Sequence, residues 1–144
     1  MKYFDYQYRV RYGDTDMMGI SYYANYLIWI EAARTEYFRA LGLPYTECEK
    51  QGIYLPVVEA QARYMGPSTY DDLLTIRTSV SEIRMSTIRF EYHVFKTGQE
   101  KRISQGYTVH VFVDGSMKPV RSPQSVTDLV ECFQLLDDGP RKQK

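Results

Sequence analysis

Two carboxylates one residue apart, Asp14 and Asp16, are the groups in this chain best suited to chemistry. They lie in "RYGDTDMMGISYYANYL", residues 11 to 27, with Gly19 and Ser21 close behind and helical spacing just beyond. A carboxylate in such a loop has two uses. It can brace the turn by accepting backbone N–H bonds, or it can face a ligand as nucleophile or general base. An Asp with the ordinary pKa of about 3.9 is a poor base at neutral pH; burial against Met17, Met18 and Ile20 would raise it. Other candidates are few. His93 and His110 fall on strand-like runs, where a lone His is more often a solvated or interface side chain than a catalyst. Cys48 and Cys132 are far apart and lack CxxC spacing, which argues against a disulfide framework and against a metal site.

The elements that must position these acids can be read from periodicity. Residues 4 to 12, "FDYQYRVRY", alternate, with Phe4, Tyr6, Tyr8, Val10 and Tyr12 on one face of a half-buried strand. From about Tyr22 the spacing becomes helical: Tyr26, Ile30, Ala33, Tyr37 and Leu41 form a stripe, and Gly42 stops the helix. Glu31, Arg34, Glu36 and Arg39 fall outside the stripe and suit ordinary charge pairs. Pro44 opens a second short helix, closed by Gly52. Four strand-like runs follow, over 54–65, 72–84, 87–97 and 102–113, separated by turn sequences such as "KTGQEK" and Asp114-Gly115. In the third run Ile88, Phe90, Tyr92 and Val94 share a face. In the fourth the apolar row is Ile103, Gln105, Tyr107, Val109, Val111 and Val113. A helix from Pro123 to about Leu136 closes a single domain of residues 1–136, and 137–144 is expected to be a disordered tail. The class is α+β. One long helix covers one face of an antiparallel sheet, so the helix's other sides and the back of the sheet call for cover, which favours dimerisation.

At 144 residues the chain can bury a core without staples. Its 18 basic residues balance its 18 acidic ones, so bulk charge gives no reason to expect a nucleic-acid partner. The N-terminus lacks the apolar core of a signal peptide and no run approaches a membrane span, so a cytoplasmic protein with no membrane partner is expected. The 14 tyrosines supply flat apolar area with a polar tip, suited to pocket walls and subunit interfaces.

Taken in order, "YGDTDMMGISYYANYLIWIEAARTEYF" resembles the hot-dog-fold acyl-CoA thioesterases of the 4-hydroxybenzoyl-CoA thioesterase-like family. These show a strand, a D-x-D-x-x-G loop, aromatic residues, Asn-Tyr and an Ala-Arg helix. "YDDLLTI" at 70–76 and "KPVRSP" at 118–123 extend the match from Tyr6 to about Val130. The resemblance implies one long central helix wrapped by an antiparallel sheet. It implies a homodimer or homotetramer with active sites at subunit interfaces, and hydrolysis of an acyl-CoA or acyl-carrier-protein thioester without metal or redox cofactor. It also makes Asp16 the catalytic carboxylate and the backbone N–H of Tyr23 the group that polarises the thioester carbonyl.

Elementary chemistry fits these implications. A helix start carries unsatisfied N–H groups and about half a positive charge, with Gly19 permitting close approach and Ser21 available as a cap. Thiols have pKa near 8.5, so a thiolate leaves without a strong general acid. Asp16 either attacks the carbonyl or activates a water, and the residues leave both routes open. Asp14 is expected to hold the end of the strand. Met17, Met18, Gly19, Ile20, Tyr22, Asn25 and Tyr26 are the expected substrate-binding residues. Arg84, Ser86, Lys118 and Arg121 are the implied CoA-binding groups, from the neighbouring chain in the family arrangement. Some relatives carry His where this chain has Tyr23, and Glu31 or Glu36 could serve the branch of the family that uses a helix Glu. Two alternatives stand beside the hydrolase: a non-catalytic acyl-CoA or carrier-protein binder, and a hot-dog hydratase or dehydratase, which would want a His beside the acid.

Overall fold

A computed structural model describes residues 2–43 and 45–137. Strand β1 (Phe4–Arg9) leads through a one-turn 3-10 helix (Tyr12–Asp14) and the acidic loop into helix α1 (Asn25–Leu41), followed by the short α2 (Tyr45–Lys50). Four strands, β2 (Val57–Tyr64), β3 (Leu73–Ile83), β4 (Thr87–Lys96) and β5 (Arg102–Val111), precede helix α3 (Gln124–Asp137). All five strands form one antiparallel sheet in the order β1-β3-β4-β5-β2. This is the α+β hot-dog arrangement, a long helix held against an antiparallel sheet.

The helix packs because its stripe is apolar. Tyr26, Ile30, Ala33, Tyr37 and Leu41 are buried as expected, joined by Trp29 and Phe38. Tyr37 and Phe38 meet Phe90 of β4 edge-on at 6.1 and 5.6 Å, and Trp29 lies 4.9 Å from Tyr8 of β1. Gly42, with φ of 86°, adopts the left-handed conformation that ends α1.

Several boundaries and faces differ from the sequence reading, each for a physical reason. β1 stops at Arg9 because Asp14 draws the chain into the 3-10 turn, and Tyr12 stands outside the core against Tyr70. α1 begins at Asn25 rather than near Tyr22, and its cap is Ala24 with no side-chain bond, so Ser21 is not the cap. On β5 the helix-facing row is Ser104, Gly106, Thr108 and His110, not the Ile103–Val113 row. Register sets these small and polar residues against Val94, Tyr92, Phe90 and Ile88, whose bulk already fills the space beneath the helix. Pro44 and residues 138–144, including nearly all of the expected tail, lie outside the described residues.

The back of the sheet needs no apolar cover. It carries Arg77 paired with Asp5, Arg89 with Glu91, and Arg102 beside His93 and Gln105. Both edge strands, β1 and β2, pair on one side only, and β2 is the one that exposes apolar residues at both of its ends, Val57, Val58 and Tyr64. β2 also lies unusually close to β5 at Gly106, where a Cβ would run into the Gln61 carbonyl.

Candidate active site

The two acids of the loop are used differently. Asp14 is the more heavily bonded, with two bonds on one carboxylate oxygen and two more on its carbonyl. Its Oδ2 accepts from the Tyr8 hydroxyl at 2.6 Å and the Arg11 N–H at 2.8 Å, while its carbonyl accepts from the Tyr22 N–H and the Asn25 amide, each at 2.8 Å. Burial, and then the Asp14 carboxylate, push the Tyr8 phenol up, which keeps it a donor. Asp16 is half occupied. Its Oδ1 accepts the Met18 N–H at 2.8 Å, and its Oδ2 has no partner among the described residues. The turn it opens closes when the Gly19 N–H donates to the Asp16 carbonyl at 2.9 Å and the Asp16 N–H to the Ile20 carbonyl at 2.9 Å. Gly19 sits at φ of 77°, which a side chain would strain, so the D-x-x-G spacing has a backbone cause.

The loop delivers the chain to a helix start with open donors. Backbone bonds from Asn25 to the Tyr22 carbonyl and from Tyr26 to the Tyr23 carbonyl begin the winding of α1, yet the Tyr23 N–H has no acceptor among the described residues. Tyr64 at the end of β2 donates its hydroxyl to the Tyr23 carbonyl at 2.9 Å and so ties the sheet edge to the helix start. Beside these residues lies an open groove of about 450 Å³, lined by Ile20, Ser21, Tyr23, Tyr26, Tyr64 and the 65–67 loop. Its walls are mainly aromatic, with Tyr26 edge-on to Tyr64 at 5.2 Å and 4.7 Å from Trp29.

The expected substrate-binding residues divide into three groups. Ile20 and Tyr26 line the groove, beside the catalytic candidate Tyr23. Met17, Met18 and Tyr22 are exposed and outside its lining, with Met17 wholly in solvent, so within one chain the methionines do not bury Asp16. Gly19 serves the turn, and the Asn25 amide is committed to Asp14.

The expected CoA residues gather at a different place. The 84–87 turn and the 118–122 segment are knit by Ser122, which donates its N–H to the Met85 carbonyl at 2.7 Å and its hydroxyl to the Arg84 carbonyl at 2.6 Å. That joins Arg84, Ser86 and Arg121, with Lys118 in the adjoining Asp114 turn. Arg84 pairs with Glu82, and Arg121 is exposed. Arg9 at the acidic-loop end pairs with Leu73, whereas Arg84 follows Ile83 at the other end of β3, so the cations and Asp16 lie at opposite ends of the sheet. At about 3.3 Å per residue the strand puts them roughly 30 Å apart within one chain.

Neither histidine approaches the acid loop. His93 is on the back of the sheet beside Arg102, and its pKa is lowered by burial and then by Arg102. His110 is buried in the core. Among the described residues no group of three or more His, Cys, Asp or Glu side chains is placed to hold a metal ion.

Two residues escaped the sequence reading. Ser68, inside a stretch that reads as a turn, is fully buried and joins Ser21 and Tyr26 by hydrogen bonds of 2.6 and 2.9 Å. Tyr64 reads as one more aromatic on a strand. Their partners lie some 40 residues away in sequence, at 47 and 42 residues for Ser68 and 41 for Tyr64, and no local pattern signals such pairings.

An α+β hot-dog domain with a free N–H at the start of its central helix, and a half-free carboxylate just ahead of it, has the make-up of an acyl-transfer site. Residues 10–130 match the model of the thioesterase-like superfamily, and the chain belongs to that family. It is 38% identical over 125 residues to the acyl-CoA thioesterase YbgC of Haemophilus influenzae, covering 85% of this chain and 90% of the relative. It is 30% identical over 131 residues to the 4-hydroxybenzoyl-CoA thioesterase of Pseudomonas sp. strain CBS-3, covering 87% and 93%. The crystal structure of a DHNA-CoA thioesterase from Staphylococcus aureus superposes with a TM-score of 0.84 at 28% identity, covering 100% of this chain and 97% of that one.

Proposed function

We propose that this protein is a cytoplasmic acyl-CoA thioesterase that works as a homodimer or a dimer of dimers, with Asp16 as nucleophile or general base and the Tyr23 N–H polarising the carbonyl. The observation that carries the reading is the pairing of an unoccupied Asp16 Oδ2 with an unoccupied Tyr23 N–H at the start of α1. A thioester carbonyl oxygen accepting from Tyr23 gains negative charge as the carbon is attacked. One such donor is typically worth about 3 kcal/mol of barrier. Oδ2 either attacks that carbon, giving an anhydride as the C–S bond breaks, or takes a proton from the attacking water. In both routes the sulfur leaves with the bonding pair as thiolate.

The dimer supplies what a single chain lacks. If the β2 edges of two chains pair antiparallel about a two-fold axis, the Val57 end of one β2 meets the Tyr64 end of the other. The partner's end of the sheet that bears the cations then stands beside this chain's acid loop. Arg84, Lys118 and Arg121, with the Ser86 hydroxyl, suit the phosphates of CoA there. Met17 and Met18, exposed in the single chain, would wall the site. A hydratase or dehydratase is disfavoured because both histidines are remote from the helix start.

The test is thiol release from a panel of aliphatic and aromatic acyl-CoAs by wild type and Asp16→Asn in parallel. Turnover of some member, reduced at least about 100-fold in the folded variant, supports the reading. Binding without turnover by wild type would sink it in favour of the non-catalytic binder. Equal rates for both proteins would remove Asp16 from the chemistry. Mass spectrometry of enzyme quenched during turnover separates the two routes, since only direct attack adds the acyl mass to the chain.

A further inference from the structure

The Ser21, Ser68 and Tyr26 hydroxyls form a linear trio, Ser21···Ser68 at 2.6 Å and Ser68···Tyr26 at 2.9 Å. Three hydroxyls bring three protons, and the two bonds use two of them. The third proton finds no acceptor among the described residues. Placed on Ser68 it would be sealed in the core, since Ser68 is 0% exposed. Placed on Ser21 or Tyr26 it sits on a residue that lines the groove. Burial pushes the Tyr26 phenol up, so it keeps its proton at neutral pH. The groove is otherwise walled by Ile20, the rings of Tyr23 and Tyr64, Met65 and Pro67. It is therefore a largely apolar slot to which the trio adds a spare O–H donor beside those of Tyr23.

While the groove is empty that donor is open to solvent. An acyl group that fills the groove expels solvent and must take its place. A hydrocarbon acyl cannot, and leaves a buried donor unpaired; an acyl with a suitably placed oxygen can accept the proton. Sites of this kind discriminate against the analogue lacking the partner. Resting on the thioesterase reading above, we infer that the acyl group taken by this groove carries an oxygen acceptor, a hydroxyl, ether or oxo group, which receives the surplus proton of the Ser21–Ser68–Tyr26 trio. Ser21 and Tyr26 are then specificity-determining residues, and Ser68 positions both.

The experiment compares kcat/KM for two matched pairs of CoA thioesters, 4-methoxybenzoyl against 4-ethylbenzoyl and 3-hydroxybutyryl against 3-methylbutyryl. Each pair differs in an oxygen at nearly constant shape. In at least one pair wild type should favour the oxygenated member about tenfold or more. In the Ser21→Ala/Tyr26→Phe double variant that ratio should fall to near one. If the double variant does not fold, at least one of the two single variants must lower the ratio. Turnover with no preference for oxygen in either pair overturns the inference while leaving the thioesterase reading intact. So does a ratio unchanged in the folded double variant, or in both single variants. No turnover of any CoA thioester overturns the thioesterase reading, and this inference with it.

Discussion

Two polar constellations in this molecule both contain linked hydroxyls and differ in whether they are closed. Through the core runs a chain from Arg34 to Tyr92, Thr108, His110 and the Leu55 carbonyl, with links of 3.2, 2.8, 2.9 and 3.0 Å. Its directions are fixed. Leu55 O can only accept, so His110 donates from Nδ1 and accepts at Nε2; Thr108 and Tyr92 each donate once and accept once, and Arg34 supplies the first proton. At the start of α1 the Tyr23 N–H, the Asp16 Oδ2 and one proton of the hydroxyl trio are left over. A closed network specifies the fold, whereas an open one is available to a ligand.

The closed network should show itself in stability. Burial pushes the His110 pKa down to about 4, against about 6.5 in an unfolded chain. Between those values the unfolded chain binds a proton that the folded one excludes. The contribution is therefore intact above about pH 6.5 and is lost as pH falls through about 4, a change of roughly 3 kcal/mol. Denaturant unfolding across that range should show the loss, and His110→Gln should flatten that part of the curve. Gly106→Ala, which sets a Cβ against the Gln61 carbonyl, should cost about 2 kcal/mol, read as a fall in denaturation midpoint; no change would mean that β2 and β5 are less tightly apposed than described.

The open region should show itself in kinetics. Replacing Arg84 and Arg121 together by Ala should raise KM for an acyl-CoA about tenfold, with kcat changing far less and the effect shrinking in high salt. An unchanged KM would move the nucleotide site elsewhere. Smallest of these, Tyr64→Phe removes the bond to the Tyr23 carbonyl and should lower kcat about threefold. A fall in stability with no fall in kcat would make that tie structural only.

Much of this was legible in the sequence where spacing alone sets the outcome. The stripe Tyr26–Leu41, the stop at Gly42, the inward row of β4 and the D-x-D-x-x-G loop each follow from local periodicity or a required backbone conformation. The facing row of β5 was not, because alternation gives two rows and only register against β4 and the bulk beneath α1 choose between them. The Ser21–Ser68–Tyr26 trio was hidden because it depends on residues brought together by the whole fold. Asp14 and Asp16 look alike in the chain. They separate only once Asp14 is seen to be tied to Tyr8 and Arg11, and Asp16, among the described residues, to nothing beyond its own turn.

That separation can be measured directly. Asp14→Asn and Asp16→Asn should be compared side by side for unfolding free energy and for kcat/KM on the preferred acyl-CoA. The two effects should cross. Asp14→Asn, which turns two charge-assisted bonds on one oxygen into neutral ones, should lose about 2 kcal/mol of stability with turnover changed only a fewfold. Asp16→Asn, whose amide oxygen can still accept the Met18 N–H, should stay within about 0.5 kcal/mol and lose at least about 100-fold in kcat/KM. Full activity in folded Asp16→Asn, or a larger rate loss from Asp14→Asn than from Asp16→Asn, would contradict that assignment of the two acids.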